Sequence, residues 1–166
     1  MNHQTRCILR YLFVILLGVA LFFAYELSGE NLIVGLFAPV NNSVWETLKL
    51  IFFPLLILTL WDLFLSYRNN TAFLPARTTG ILAGMTFYVV VFYTVTGIIG
   101  AVIFWAAVII YLLSIAYAFW VKKKTCGRNK WLNTTTSIVI LIVLVILFVV
   151  FTLAPPALGI FIPFAS

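Results

Sequence analysis

Glu46 and Lys49 stand three residues apart in the stretch Asn41-Asn42-Ser43-Val44-Trp45-Glu46-Thr47-Leu48-Lys49. A carboxylate beside an ammonium group can act as an acid/base with a charge stabiliser. Asn41, Asn42 and Ser43 add hydrogen-bonding groups next to it. Such a density of polar groups is unusual in a chain with ten basic and four acidic residues among 166. Two readings stand side by side. In the first the cluster is local structure. Ser43 and Glu46 have capping-box spacing and start a helix at Val44. Glu46 suits the positive end of the helix dipole, Glu46 and Lys49 form a surface ion pair, and Trp45 is an interfacial anchor. In the second, Asn41, Asn42, Ser43, Glu46 and Lys49 line a polar pocket at the outer mouth of a helix bundle.

Asp62 is the other residue with chemical potential, in the apolar run Leu60-Trp61-Asp62-Leu63. An ionisable group within a membrane span is costly and is a functional candidate by default. Arg68 lies only about 9 Å further along a helix at 1.5 Å per residue. Asp62 can therefore also play a structural part, reaching headgroups or pairing with a lysine of a cytoplasmic loop. Carboxylate pairs are excluded: Glu46 and Asp62 are about 24 Å apart along one helix, and Glu26 is interfacial on the side opposite Asp62. The only histidine is His3, in the N-terminal segment. No metal ligand set and no cofactor are expected. Phosphate loops, nucleophile elbows and zincin helices are missing from the sequence.

The elements that must position these residues follow from composition. Hydrophobic residues make up 64% of the chain and charged residues 8%, against about 45–50% and 25% in soluble domains. Lipid must be the solvent over most of the surface. About 20 apolar residues cross the hydrocarbon, and five runs qualify: residues 8–27, 48–67, 79–97, 100–120 and 134–153. The long run from Thr79 to Trp120 breaks at Gly97-Ile98-Ile99-Gly100, where two glycines permit a tight turn. Each run must be helical, because lipid cannot satisfy exposed backbone groups. The fold class is thus all-α: a polytopic membrane protein, a five-transmembrane-helix bundle forming one domain over 1–166.

Nine of the ten basic residues flank these runs on one side. Arg6 and Arg10 precede the first, Arg68 and Arg77 separate the second and third, and Lys122, Lys123, Lys124, Arg128 and Lys130 separate the fourth and fifth. The positive-inside rule makes these segments cytoplasmic, with the N-terminus in and the C-terminus out of the cell membrane. The net charge of +6 is then explained by orientation and contact with anionic lipid through Lys122–Lys130, without nucleic acid. The first run is longer than a signal-peptide core, and Phe23-Ala24-Tyr25-Glu26 offers no cleavage site, so it stays as a helix. Cys7 and Cys126 fall on the reducing side and form no disulfide. The glycosylation patterns starting at Asn41, Asn69 and Asn133 are discounted by side or depth, and no internal repeat of the transporter kind is present.

Weaker signals concern packing. Gly80 and Gly84 form a small-xxx-small pair that lets helices approach closely. Tyr88, Tyr93, Thr94 and Thr96 make a polar stripe suited to interhelical hydrogen bonds. Pro54 should bend its helix and free backbone groups that can line a cavity. The apolar tail 154–166 carries three prolines, cannot be a regular helix, and should fold back on the outer face against the loop 37–43.

The stretch Leu36 to Leu50 followed by Phe52-Phe53-Pro54 resembles the signature of a small, uncharacterised bacterial membrane-protein family. That signature runs proline, valine, Asn-Glu-Ser, any residue, Trp-Glu-His, any residue, Lys-Leu, then a proline in the helix. Asn41, Ser43, Trp45, Glu46 and Lys49 match it, and the segments Tyr93–Gly97 and Phe151–Pro156 resemble its later parts. The chain departs from the pattern at Asn42 (Glu there), Thr47 (His there) and Ala157 (His there). The resemblance implies architecture and no activity, and the departures argue against metal or proton chemistry in this copy.

Three functions fit these residues. The leading one is non-catalytic binding of a lipid or a protein partner, a second copy of the chain included. The alternatives are a transporter or channel subunit using Asp62 and Pro54, and a membrane-embedded enzyme acting on a lipid-borne substrate through Glu46 and Lys49.

Overall fold

The computed structural model describes residues 3–66, 73–126 and 132–163. The described residues form helices without strands: α1 (His3–Leu27), the short α2 (Leu32–Gly35), α3 (Val44–Ser66), α4 (Phe73–Ile99), α5 (Phe104–Thr125), α6 (Thr134–Leu153) and a 3-10 turn (Gly159–Phe161). Five of them, α1 and α3 to α6, are long and apolar enough to cross a membrane. They run alternately up and down. One end of the bundle carries Arg6, Arg10, Arg77 and Lys122–Lys124 and is called the basic end here. The other, the loop end, carries the segment 28–43, the turn after α4 and the tail.

α3 is the central helix. In its most apolar stretch 61% of residues are buried within the protein, against 11% for the corresponding stretch of α1. Its core side chains, Leu48, Ile51, Phe52, Leu55 and Leu58, are almost fully enclosed. The outward faces of α1, α5 and α6 stay apolar and exposed, with Leu16, Trp105 and Ile142 among them, as lipid-facing surfaces require.

Pro54 sits inside α3. It has no N–H to give the Leu50 carbonyl, and a freed backbone group in an apolar interior is costly. The Tyr111 hydroxyl of α5 donates to that carbonyl at 3.4 Å. Gly18 of α1 makes the approach feasible, because a Cβ there would lie 1.9 Å from the Tyr111 hydroxyl oxygen. Three helices thus meet at one carbonyl.

α4 and α5 pack most closely. A Cβ on Gly80 would lie 2.7 Å from the Ala118 carbonyl oxygen, and one on Gly84 2.9 Å from the Ala118 Cβ. The small-residue pair therefore has a defined partner, the Ser114–Ala118 face of α5. α4 starts at Phe73, with Pro75 in its first turn where the missing N–H costs nothing, so Arg77 lies inside a helix and not in a loop. The chain reverses after Ile99 and not across Gly97, which remains helical. Gly100 takes φ +74°, the left-handed conformation glycine supplies at a helix C-terminus. The tail returns to the bundle on the start of α3: Phe161 lies 5.0 Å from the Trp45 ring.

Candidate functional site

Three features stand out: a closed polar cluster at the loop end, an ion cluster at the basic end, and an apolar groove between α1 and α5.

The loop-end cluster is built by the start of α3 and the chain that crosses over it. The Ser43 hydroxyl accepts from the Glu46 N–H at 3.3 Å, one half of the capping box. The other half is redirected. The Glu46 carboxylate accepts from the Val40 N–H at 2.9 Å, and the Ser43 N–H donates to the Asn41 side chain at 2.9 Å. Lys49 and Glu46 do pair, at 2.7 Å, but the pair is not on the surface: Lys49 is 0% and Glu46 4% exposed. Lys49 Nζ also donates to the Gly35 carbonyl at 2.7 Å and the Ala38 carbonyl at 3.3 Å. All three ammonium protons have acceptors. Thr152 of α6 reaches the second Glu46 oxygen at 3.5 Å. Two desolvated ions persist in an apolar core only when such hydrogen bonds complete them. The arrangement holds residues 35–40 against α3, and Lys49 has no proton or lone pair left for a substrate. Asn41 and Asn42 are exposed. Trp45 is half-buried, packed among Phe148, Phe151 and Phe161.

At the basic end Asp62 is 4% exposed and holds two guanidinium groups. Arg10 of α1 donates to one carboxylate oxygen at 2.7 Å, and Arg77 of α4 donates to the other. Its partners are therefore arginines of α1 and α4 and not a lysine of the following loop. Arg77 is 3% exposed, and its guanidinium lies over the Phe73 and Phe119 rings at 5.5 and 5.7 Å. Lys122 is half-buried, with Nζ 5.7 Å from the Phe73 centroid. Lys123 and Lys124 are exposed, Lys124 over Trp120. Arg128 and Lys130 lie outside the described residues, as does Arg68.

The groove has a volume of about 490 Å³. Gly18 and Phe22 of α1, Leu50 of α3, Tyr88 of α4 and Trp105 and Tyr111 of α5 form its walls. Asn42 and Thr47 bring polar groups to its loop end, and no lining residue is charged. Tyr88 is buried and hydrogen-bonded with Thr47. Leu50, whose carbonyl Pro54 leaves without its helical donor, lines the wall. Thr94 and Thr96 bond to carbonyls of their own helix, at Val90 and Phe92, and so do not tie helices together.

Among the described residues no group of three His, Cys, Asp or Glu side chains is placed to hold a metal ion. Arg10, Arg77, Gly18 and Tyr111 are the site residues that sequence reasoning left aside. Pro75 was the available signal for Arg77, since a proline marks the first helical turn. Comparison with curated proteins and with solved structures finds no match. The chain belongs to the family of unknown function DUF6512, whose model matches residues 1–165.

Proposed function

We propose that this chain is a non-catalytic, multi-pass protein of the cell membrane that holds an apolar lipid chain in the α1–α5 groove, with the basic end facing the cytoplasm. The groove carries the reading. Its volume of about 490 Å³ is within the roughly 300–1,000 Å³ of small-molecule sites. Its lining is mostly apolar and aromatic, with Asn42 and Thr47 at one end only. An amphiphile matches that gradient: chain between the helices, uncharged polar group at the loop end. Lys122, Lys123, Lys124, Arg128 and Lys130 add attraction for anionic headgroups at the other surface, about 1 kcal/mol for each charge near it.

The enzymatic alternative loses support from the saturation of Lys49 by three acceptors. The transport alternative loses support from the closure of Asp62 between two arginines.

Native mass spectrometry of the protein extracted gently from its own membrane tests the reading. A stoichiometric retained lipid is expected. Val108→Trp fills the groove from a half-buried wall position and should abolish retention while the melting temperature stays within a few degrees. A wild-type chain that flies bare, as monomer or oligomer, would remove the reading.

A further inference from the structure

The ion cluster at the basic end does not balance. Three cations, Arg10, Arg77 and Lys122, gather around a single carboxylate, Asp62. Arg77 and Lys122 share the Phe73 ring, at 5.5 Å and 5.7 Å, and Lys122 lies within electrostatic range of both Arg77 and Arg10. Both oxygens of Asp62 are already engaged by the two arginines. Lys122 forms no ion pair among the described residues. The gathering is enforced by backbone packing. Gly80 lets α5 approach until the Lys122 Cβ would stand 3.1 Å from a Cβ at position 80. Two surplus positive charges are thereby held together in partly dehydrated surroundings, where like charges repel strongly.

A second observation points the same way. Among the described residues, the Arg77 Nε is buried with no hydrogen-bond partner. Arg77 and Lys122 both border a void of about 10 Å³, about the size of one water molecule. Arg10 and Lys122 are the open members, Arg10 with 39% of its side chain exposed. A bundle that spans a bilayer would meet lipid phosphate groups at such a basic end.

We infer that Arg10 and Lys122, backed by Arg77, form a binding site for one phosphate-bearing anion at the basic end, between α1 and α5. Arg10 supplies fork-like donors suited to phosphate oxygens and Lys122 a point charge. Arg77 stays on Asp62 and contributes its field. The site is distinct from the groove, so its failure leaves the groove reading untouched. It differs from diffuse attraction to the lysine run in naming which cations act.

The test compares single variants in nanodiscs of phosphatidylcholine with a minor share of phosphatidylglycerol, followed by native mass spectrometry, with inorganic phosphate as a separate titrant. Lys122→Gln breaks no ion pair and should weaken retention of the phosphate-bearing ligand about tenfold, as the loss of a charge-assisted contact does. Arg10→Gln should do the same. Lys123→Gln and Lys124→Gln should change it less, by about fivefold at most, the share of one diffusely attracting charge. Retention of one phosphatidylglycerol identifies a lipid headgroup. Saturable stabilisation by inorganic phosphate without lipid retention identifies a free phosphate compound. Either outcome, with that variant order, supports the site. Equal loss in all four variants, or neither ligand bound, overturns it.

Discussion

Replacing Lys49 by Met should cost the protein more stability than removing the whole ion pair. Lys49 is 0% exposed, and its ammonium group has three acceptors: Glu46 at 2.7 Å, the Gly35 carbonyl at 2.7 Å and the Ala38 carbonyl at 3.3 Å. Lys49→Met leaves a carboxylate that is 4% exposed, with the Val40 N–H as its one close donor, facing two carbonyls that have lost theirs. Breaking a buried pair from one side costs about 3–5 kcal/mol. For a chain of this length each kcal/mol moves the midpoint by roughly 2–4 °C, so a fall of roughly 6–20 °C is expected. Glu46→Gln with Lys49→Met removes both charges while the amide oxygen still accepts from Val40. That double variant should recover at least about half of the loss, because neutral replacements of buried pairs are often tolerated. The assay is thermal melting in mild detergent, read as the monodisperse fraction on size exclusion. A Lys49→Met midpoint within about 2 °C of wild type, or a double variant as unstable as the single, would refute the argument that the pair is a desolvated structural clamp.

Three further outcomes are expected. Asp62→Asn strands two guanidinium groups, one of them buried, and should cost about 3 kcal/mol or more, whereas Arg10→Gln removes a partly exposed partner and should cost about 1 kcal/mol or less; the same melting assay reads both, and equal losses would contradict the assigned geometry. Gly18→Ala places a methyl group where the Tyr111 hydroxyl lies, with a 1.9 Å approach, and should lower the midpoint, while adding Tyr111→Phe should relieve the clash and recover part of it. A reporter fused to the C-terminus should be active only on the outer side of the membrane; a cytoplasmic signal would reverse the orientation proposed from the basic end.

The architecture was legible because membrane crossing is written in length and apolarity, which need no tertiary information. The start of α3 was legible for a similar reason. Ser43 and Glu46 are three residues apart, and capping is local chemistry. What the local rule could not contain was the chain passing above. Glu46 turns to Val40 because residues 35–40 fold over α3, and that same crossing buries Lys49, so an apparent surface pair became an interior one. Asp62 was recognisable as costly, yet its partners come from α1 and α4, 52 and 15 residues away; spacing along one helix says nothing about them. The groove was foreshadowed only by Pro54. Its walls depend on which helices flank Pro54, and that is set by the side chain of Tyr111 and the lack of one at Gly18.

The missing N–H of Pro54 also has a consequence for how the chain is made. The ribosome emits α3 before α5, so the Leu50 carbonyl waits while 61 further residues are synthesised before Tyr111 can reach it. During that interval α3 carries an unsatisfied group less than two turns in from its loop end, and an assembly factor or a stray polar helix has something to grip. A chain truncated before Tyr111 would keep that handle permanently, which makes the half-built protein chemically distinguishable from the finished one, inside the membrane itself.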